Sequence, residues 1–220
     1  MFIYQLISSD IPVLRPADSG DKALQLMQEL HLSHLSLVEG EEYKALVKED
    51  DILNWETPEA PLSSAEFLNF RPVVYGHQHP YEAVRRAIQQ HISIVPVINE
   101  QNKYLGSVSR DELLEYLSNN SGLDQPGGII TLEMKPVDYS LSEIARICEN
   151  NDAILLNVQL FTYPGAELME VVLKTNTKEI QSLISSFERY EYTVKEVFGE
   201  MPATESMLDR YQSLMHYINM

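Results

Sequence analysis

The chain reads as an α/β and α+β protein: a duplicated helix–strand–turn–strand–helix unit followed by a βαββαβ unit. Three observations predict this. Residues 21–53 and 81–114 pass through the same element types, pairing Ala23 with Ala83, His31 with His91, Ser33 with Ser93 and Val38 with Ile98 at an offset of 60. One extra residue in the second turn moves the offset to 61, which pairs Tyr43 with Tyr104, Val47 with Val108 and Leu53 with Leu114. A run rich in Ser, Asn, Gly and Pro at residues 118–128 then separates the repeat from a segment of different periodicity. A duplicated unit of this kind buries its apolar face on its twin, and the pair leaves a cleft between its halves.

Each element has its own signal. In the first copy, residues 11–14 form a short apolar strand ended by Arg15-Pro16. Asp18 offers an N-cap to a helix whose Ala23, Leu24, Met27 and Leu30 recur at helical spacing. Residues 35–38 are a strand, 39–42 a polar turn and 43–47 a second strand, and Glu49-Asp50-Asp51 opens a closing helix. The second copy has a strand at 72–75, Pro80 at a first helical position and an Ala83/Val84/Ala87/Ile88 stripe. A strand at 94–98, a turn at 99–103, a strand at 104–108 and a helix at 111–117 complete it. Residues 57–64, rich in Pro and Ser, connect the copies.

Beyond the second linker, residues 129–134 alternate as a strand, and 140–150 form a helix with Leu141, Ile144, Ala145 and Cys148 on one stripe. Strands at 154–161 and 168–173 join through Tyr163-Pro164-Gly165, a hairpin-type turn. A helix at 179–190 and a strand at 192–198 finish a βαββαβ order, the ferredoxin-like arrangement of four antiparallel strands with two helices on one face. Residues 204–218 place Met207, Leu208, Tyr211, Leu214, Met215 and Ile218 at helical spacing. The division is therefore 1–60 and 61–120 for the two copies, 121–127 for a linker, 128–199 for the third unit and 200–220 for a terminal helix.

Composition limits the function classes. At 220 residues and 44% hydrophobic, the chain can bury a sizeable core. Its net charge of −17 is spread evenly, with 9 basic and 18 acidic residues in 1–122 and 7 and 15 in the rest. Such a surface repels phosphate backbones and anionic lipid, which argues against nucleic-acid and membrane partners. A single cysteine, Cys148, excludes an internal disulfide and fits a reducing compartment. The apolar start, MFIYQLISSDIPVL, has no basic flank and no small-residue cleavage site, and no apolar run approaches the ~20 residues of a membrane span. A soluble, cytoplasmic protein is expected.

The alanine-apolar helix start, Ile94-Val95-Pro96-Val97-Ile98 and Gly106-Ser107-Val108-Ser109-Arg110-Asp111-Glu112 resemble the CBS domain. Two copies in tandem resemble the paired form called a Bateman module. In that family a Gly-apolar-apolar-Ser/Thr-x-x-Asp run ends the last strand and begins the last helix. Its hydroxyl meets a nucleotide phosphate and its Asp the ribose hydroxyls. The chemistry suits the types: a carboxylate accepts two hydrogen bonds from a cis-diol, and a helix N-terminus attracts phosphate. Here Gly106, Ser109 and Glu112 stand at these places in the second copy, with Glu in place of Asp. In the first copy Asp51 matches, Lys48 replaces the hydroxyl residue, Ala45 the glycine, and Ser36 the proline found at 96. The resemblance thus implies Ser109, Glu112, Gly106, Asp51 and Lys48, with His34, as ligand-binding residues. The ligand implied is an adenine nucleotide (AMP, ADP or ATP) or S-adenosylmethionine, and no cofactor is required.

The βαββαβ segment resembles an ACT domain, a regulatory module that often binds amino acids at dimer interfaces. Its effector loop falls on Lys135-Pro136-Val137-Asp138-Tyr139-Ser140, where Asp138 and Tyr139 are the candidates and the family's glycine is missing. CBS pair followed by ACT-like domain is similar to the acetoin-utilization-type CBS proteins, over nearly the whole chain.

Several residues have a second, structural reading. Ser109-x-x-Glu112 and Ser140-x-x-Glu143 are each a capping box. Glu49-Asp50-Asp51 could hold Mg²⁺ beside phosphates, or simply complement a helix dipole. His77-x-His79 with His91 or His34 invites a metal reading, but no fixed third ligand supports it, and no metal site is expected. Cys148 lies on an apolar stripe, as a buried inert thiol does. Arg71, Arg85, Arg86, Lys103, Arg110 and Lys48 either line a phosphate cleft or scatter over the surface. There is no catalytic constellation, so no catalytic residues are assigned and the chain is not expected to be an enzyme. The expectation is a homodimeric regulatory protein whose CBS pair binds a small ligand and signals through the ACT-like domain or to a protein partner. The alternative is a ligand-independent dimerisation or interaction scaffold with decayed nucleotide sites.

Overall fold

The structure is a computed structural model and describes residues 1–199; the helix expected at 204–218 lies outside the described residues. The chain forms two compact units that divide between Leu117 and Ser118.

The first unit contains both copies. Copy 1 consists of α1 (Gly20–Glu29), β1 (His34–Glu39), β2 (Glu42–Lys48) and α2 (Glu49–Leu53). Copy 2 consists of β3 (Val74–Tyr75), α3 (Pro80–Gln89), β4 (Ile94–Ile98), β5 (Tyr104–Ser109) and α4 (Arg110–Asn120). Each antiparallel hairpin carries a register shift at the same place, between Leu37 and Val38 in one and Val97 and Ile98 in the other. The repeat therefore extends to its irregularities.

The leading strands are shorter than the apolar runs that encode them. Of residues 11–14 only Leu14 pairs, parallel to Leu37, and of 72–75 only Val74 and Tyr75 pair with β4. Pro12, Pro16 and Pro72 lack the N–H that a longer ladder needs. The N-cap of α1 is Ser19, whose hydroxyl accepts from Lys22 N–H, and not Asp18. Asp18 instead accepts from the Arg15 N–H at 2.7 Å and pairs with the Lys22 ammonium. Helix α4 runs through Asn120, so the polar linker begins after its last turn, where Gly122 takes a φ of +64°.

Copy 1 packs Leu14, Ala23, Met27, Leu35, Leu37 and Val47 into its own core. Copy 2 packs the equivalent Ala83, Ala87, Val95, Val97 and Val108, and adds Ile3 from the start of the chain. Each buried Leu, Ile, Val or Met among them contributes roughly 1.5–3 kcal/mol, and each Ala about 0.8 kcal/mol or less. The N-terminal segment thus serves the far copy: Ile3 N–H donates to the Gln78 carbonyl at 2.9 Å and Ser8 N–H to that of Ser107 at 3.1 Å. Tyr43 of copy 1 also joins the copy 2 core, its ring stacked on Tyr104 at 6.3 Å.

The second unit is the expected ferredoxin-like fold. It comprises β6 (Ile129–Met134), α5 (Leu141–Glu149), β7 (Leu155–Thr162), β8 (Met169–Thr175), α6 (Gln181–Arg189) and β9 (Thr193–Phe198). The sheet order is β7-β8-β6-β9, antiparallel throughout. Alternate residues of β8, from Met169 through Val171 and Leu173, face the core with Ile144, Ile147, Leu183 and Phe187 from the helices. This is the architecture of an ACT-like domain. Gly165, with φ +81°, closes the β7–β8 hairpin.

Four helices end in the same way without glycine. His31, His91, Asp152 and Glu191 take positive φ after α1, α3, α5 and α6. In each case the next residue's N–H reaches back five positions, as from Leu32 to Met27 and from Ile92 to Ala87. No helix among the described residues is long and apolar enough to cross a membrane.

Candidate functional site

The starts of β1 and α2 meet the end of α3 at a recess of about 270 Å³ between the copies. Copy 1 supplies Ser33, His34 and the run Lys48-Glu49-Asp50, and copy 2 supplies Gln90 and His91. The local fold explains the convergence. The Glu49 N–H donates to the Ser33 carbonyl at 3.0 Å, which fastens the entry of α2 to the entry of β1. His91 sits at the left-handed turn after α3, where the chain reverses into β4.

His34 is the cross-copy element of the site. Its Nδ1 accepts from the backbone N–H of Ser93 at 3.3 Å, with the Ser33 and Ser93 hydroxyls at 2.9 and 3.3 Å. An accepting Nδ1 leaves the proton on Nε2, so the ring is a neutral donor. Burial, then the positive charges of Lys48 and Arg110, push its pKa down to about 4. The Lys48 ammonium lies 4.2 Å from the centre of the Phe70 ring. The side-chain carbonyl oxygen of Gln90 is buried with no hydrogen-bond partner. A cation, the polar side chains of Ser33, His34, Gln90 and His91, and two carboxylates thus line one small recess.

The residues expected from the sequence do not all gather here. His34 and Lys48 are brought together, whereas Asp51 lines a different groove beside Trp55 and Phe67. Ser109 and Glu112 form the complete capping box: the Ser109 N–H donates to Glu112 Oε2 at 2.7 Å and the Glu112 N–H to Ser109 Oγ at 3.1 Å. Gly106 has a packing reason, because its φ is +148° and a Cβ there would collide with the side chain of Ile7. The neighbouring difference between the copies is also structural: Ser36, where copy 2 has Pro96, shares a buried hydrogen bond with Ser107 at 3.0 Å. Tyr104 OH closes this hydroxyl chain at 2.8 Å from Ser107 Oγ.

Of the scattered cations, Arg85 pairs with Glu82 and Lys103 with Glu41, while Lys48 and Arg110 are close enough to act on His34. His79 caps α3, its Nδ1 accepting from the Tyr81 N–H at 3.2 Å, and His77 stacks on Tyr75. Ser33 and Gln90 are residues that sequence reasoning missed, and His91 entered it only as a metal candidate. The sign of Gln90 in the sequence was that it is polar where its repeat mate, Leu30, is apolar.

In the second unit, Asp138 ends a short 3₁₀ turn and lines a recess of about 580 Å³ with Lys135, Glu143 and Tyr192. Tyr139 instead packs against the core. The second capping box is half formed: Ser140 Oγ accepts from the Glu143 N–H at 3.4 Å, but the Glu143 carboxylate receives Tyr192 OH at 3.0 Å and Arg146 at 3.4 Å. Burial and that bond to Glu143 push the Tyr192 phenol up to about 12.

The family model of the CBS domain matches residues 3–57 and 69–119. Among solved structures, the chain is similar to a CBS domain pair/ACT domain protein from Thermotoga maritima, at 17% identity and a TM-score of 0.47, over 54% of this chain and 98% of that one. It is similar to a putative acetoin utilization protein from Vibrio cholerae at 16% identity and a TM-score of 0.49, over 56% and 95%. A third similar structure is CBSX2 in complex with AMP, at 17% identity and a TM-score of 0.47, over 54% and 96%. The two stretches that the family model matches are the two copies of the repeat, and together they are a tandem CBS pair.

Proposed function

We propose that the CBS pair is a regulatory sensor that binds a small phosphate-bearing ligand, with an adenine mononucleotide as the first choice, in the recess at Lys48. The observation that carries this is the recess itself. Lys48 supplies charge for a phosphate, and Ser33, His34 and His91 supply polar groups around it. A volume of about 270 Å³ and the carboxylates of Glu49 and Asp50 favour AMP over the larger, more highly charged ATP. The ligand would touch both copies, and by preferring one packing of them over another it would shift the populations of the two. On this reading the ACT-like unit transmits the shift, and the protein is regulatory rather than catalytic.

The proposed assembly is a homodimer. Leu53 and Leu114 occupy equivalent places on the closing helices and are 64% and 67% exposed, a matched apolar pair suited to a second copy. Sedimentation of the full chain tests this, and a monomer at micromolar concentration refutes it.

A ligand-independent scaffold is the second reading, favoured by the engagement of Ser109, Glu112 and Gly106 in caps and packing. Calorimetry with AMP, ADP, ATP and S-adenosylmethionine separates the two. Binding that weakens at least tenfold in Lys48→Ala supports the sensor. No heat from any of the four at millimolar concentration supports the scaffold.

A further inference from the structure

A groove of about 590 Å³ lies where α2 ends, lined by Asp51, Trp55 and Glu56 from that end and by Ser64, Glu66 and Phe67 from the connector and the chain after it. Trp55 and Phe67 meet edge to face with ring centres 5.5 Å apart, and both pack on the copy 1 core while staying half-buried. Among the described residues, no lysine or arginine pairs with Asp51, Glu56 or Glu66. Duplication supplies a comparison. At the offset of 61 that relates the closing helices, Asp51, Trp55 and Glu56 correspond to Glu112, Tyr116 and Leu117. Glu112 is held in its cap by the N–H and hydroxyl of Ser109, Tyr116 is buried, and Leu117 carries no charge. The packing of a closing helix therefore does not demand this combination of open rings and unpaired carboxylates.

We propose that this groove binds a linear organic polycation of the polyamine class, a chain of ammonium groups spaced by methylenes. Aromatic faces attract a cation through the ring quadrupole, and a cleft lined by charges of one sign concentrates the opposite sign. The charge complementarity also selects the shape of the occupant. The three carboxylates are spread rather than convergent: among the described residues, no three His, Cys, Asp or Glu side chains stand close enough to hold one metal ion. A hard divalent cation needs its oxygens gathered around one point, whereas a polyamine carries its charges apart and joins them by hydrocarbon. Its methylenes would lie on Trp55 and Phe67, and its ammonium groups would reach Asp51, Glu56 and Glu66. The groove shares no residue with the Lys48 recess, so this assignment stands or falls without the sensor reading.

Trp55 is the only tryptophan in the chain, so its fluorescence reports this groove directly. The full chain is titrated with spermidine, and with magnesium chloride at matched ionic strength as the control for general attraction to an acidic protein. The expected result is a saturable change in Trp55 emission at submillimolar spermidine, one site per chain by calorimetry, and no such change with magnesium. Glu56→Gln and Glu66→Gln should each weaken spermidine about threefold, and the double variant about tenfold, the scale of exposed ion pairs. Glu100→Gln, which removes an exposed acid of copy 2, should leave the affinity unchanged. Magnesium reproducing the emission change, equal weakening in Glu100→Gln, or no saturable response at millimolar spermidine overturns the proposal. So does a tetralysine peptide that binds more tightly than spermidine, which would give the groove to a basic protein segment instead.

Discussion

Lowering the pH from about 7.5 to about 4.5 should cost the first unit roughly 2–3 kcal/mol of stability through His34 alone. The imidazole ordinarily titrates at 6.5, and burial, Lys48 and Arg110 hold it at about 4 in the folded protein. Between those values the unfolded chain takes up a proton that the folded chain refuses. Stability therefore rises with pH across this window, is complete above about 6.5, and gains nothing from this group below about 4. Carboxylates titrate in the same range, so the informative quantity is a difference from a variant. His34→Asn retains an acceptor for the Ser93 N–H but has no proton to gain. Urea unfolding can be followed by Trp55, the only tryptophan in the chain, which packs on the copy 1 core edge-on to Phe67 at 5.5 Å. The gap in unfolding free energy between wild type and His34→Asn should change by roughly 2–3 kcal/mol between the two pH values. A gap constant to within about 0.5 kcal/mol refutes the assignment of His34 as a buried neutral acceptor.

Three further outcomes can be measured on the same protein. Ser36→Ala should destabilise the first unit by about 1–2 kcal/mol, and Ser36→Ala with Ser107→Ala by less than the sum of the singles, in a urea double-mutant cycle. Cys148 is fully buried, and burial with the nearby Glu149 pushes its thiol up to about 11; it should resist a thiol reagent near pH 8 until urea unfolds the second unit. Glu191→Gly should raise the thermal midpoint of the second unit, by relieving a φ of +64° at about 0.5–1 kcal/mol net of glycine's greater unfolded entropy, as read by circular dichroism.

The sequence carried most of the fold because the repeat is visible in residue types that packing demands. Ala23 and Ala83 lie where a helix approaches a sheet closely, and both are fully buried. His31 and His91 matched for a reason that has little to do with ligands, since both hold the left-handed turn that ends a helix. The alternation of β8 and the Tyr163-Pro164-Gly165 turn likewise fixed the second sheet. Element ends were less legible, because prolines silence ladder donors only where a ladder would otherwise form. The site was the least legible part. Reading along the strand-to-helix motif favours Ser109, Glu112 and Asp51, but the first two are used in a helix cap and the third faces another groove. Gln90 and His91 belong to no motif; they matter because copy 2 sets the end of α3 beside the β1 and α2 entries of copy 1. That proximity is a product of packing between the copies and leaves no periodic trace.

The hydroxyl chain of Ser36, Ser107 and Tyr104 bears on which halves can mate. Ser36 belongs to copy 1, while Ser107 and Tyr104 belong to copy 2, so the buried bond at 3.0 Å is satisfied only when unlike copies meet. If two chains exchanged halves so that copy 2 faced copy 2, Pro96 would stand opposite Ser107, whose hydroxyl would keep only Tyr104. Each such mismatch would forfeit a buried hydrogen bond, about 0.5–1.5 kcal/mol, and a symmetric exchange would forfeit two. A single serine in place of a proline thus acts as a mating code. It favours the meeting of unlike copies over like ones, and so guards a duplicated protein against a mispairing that duplication invites.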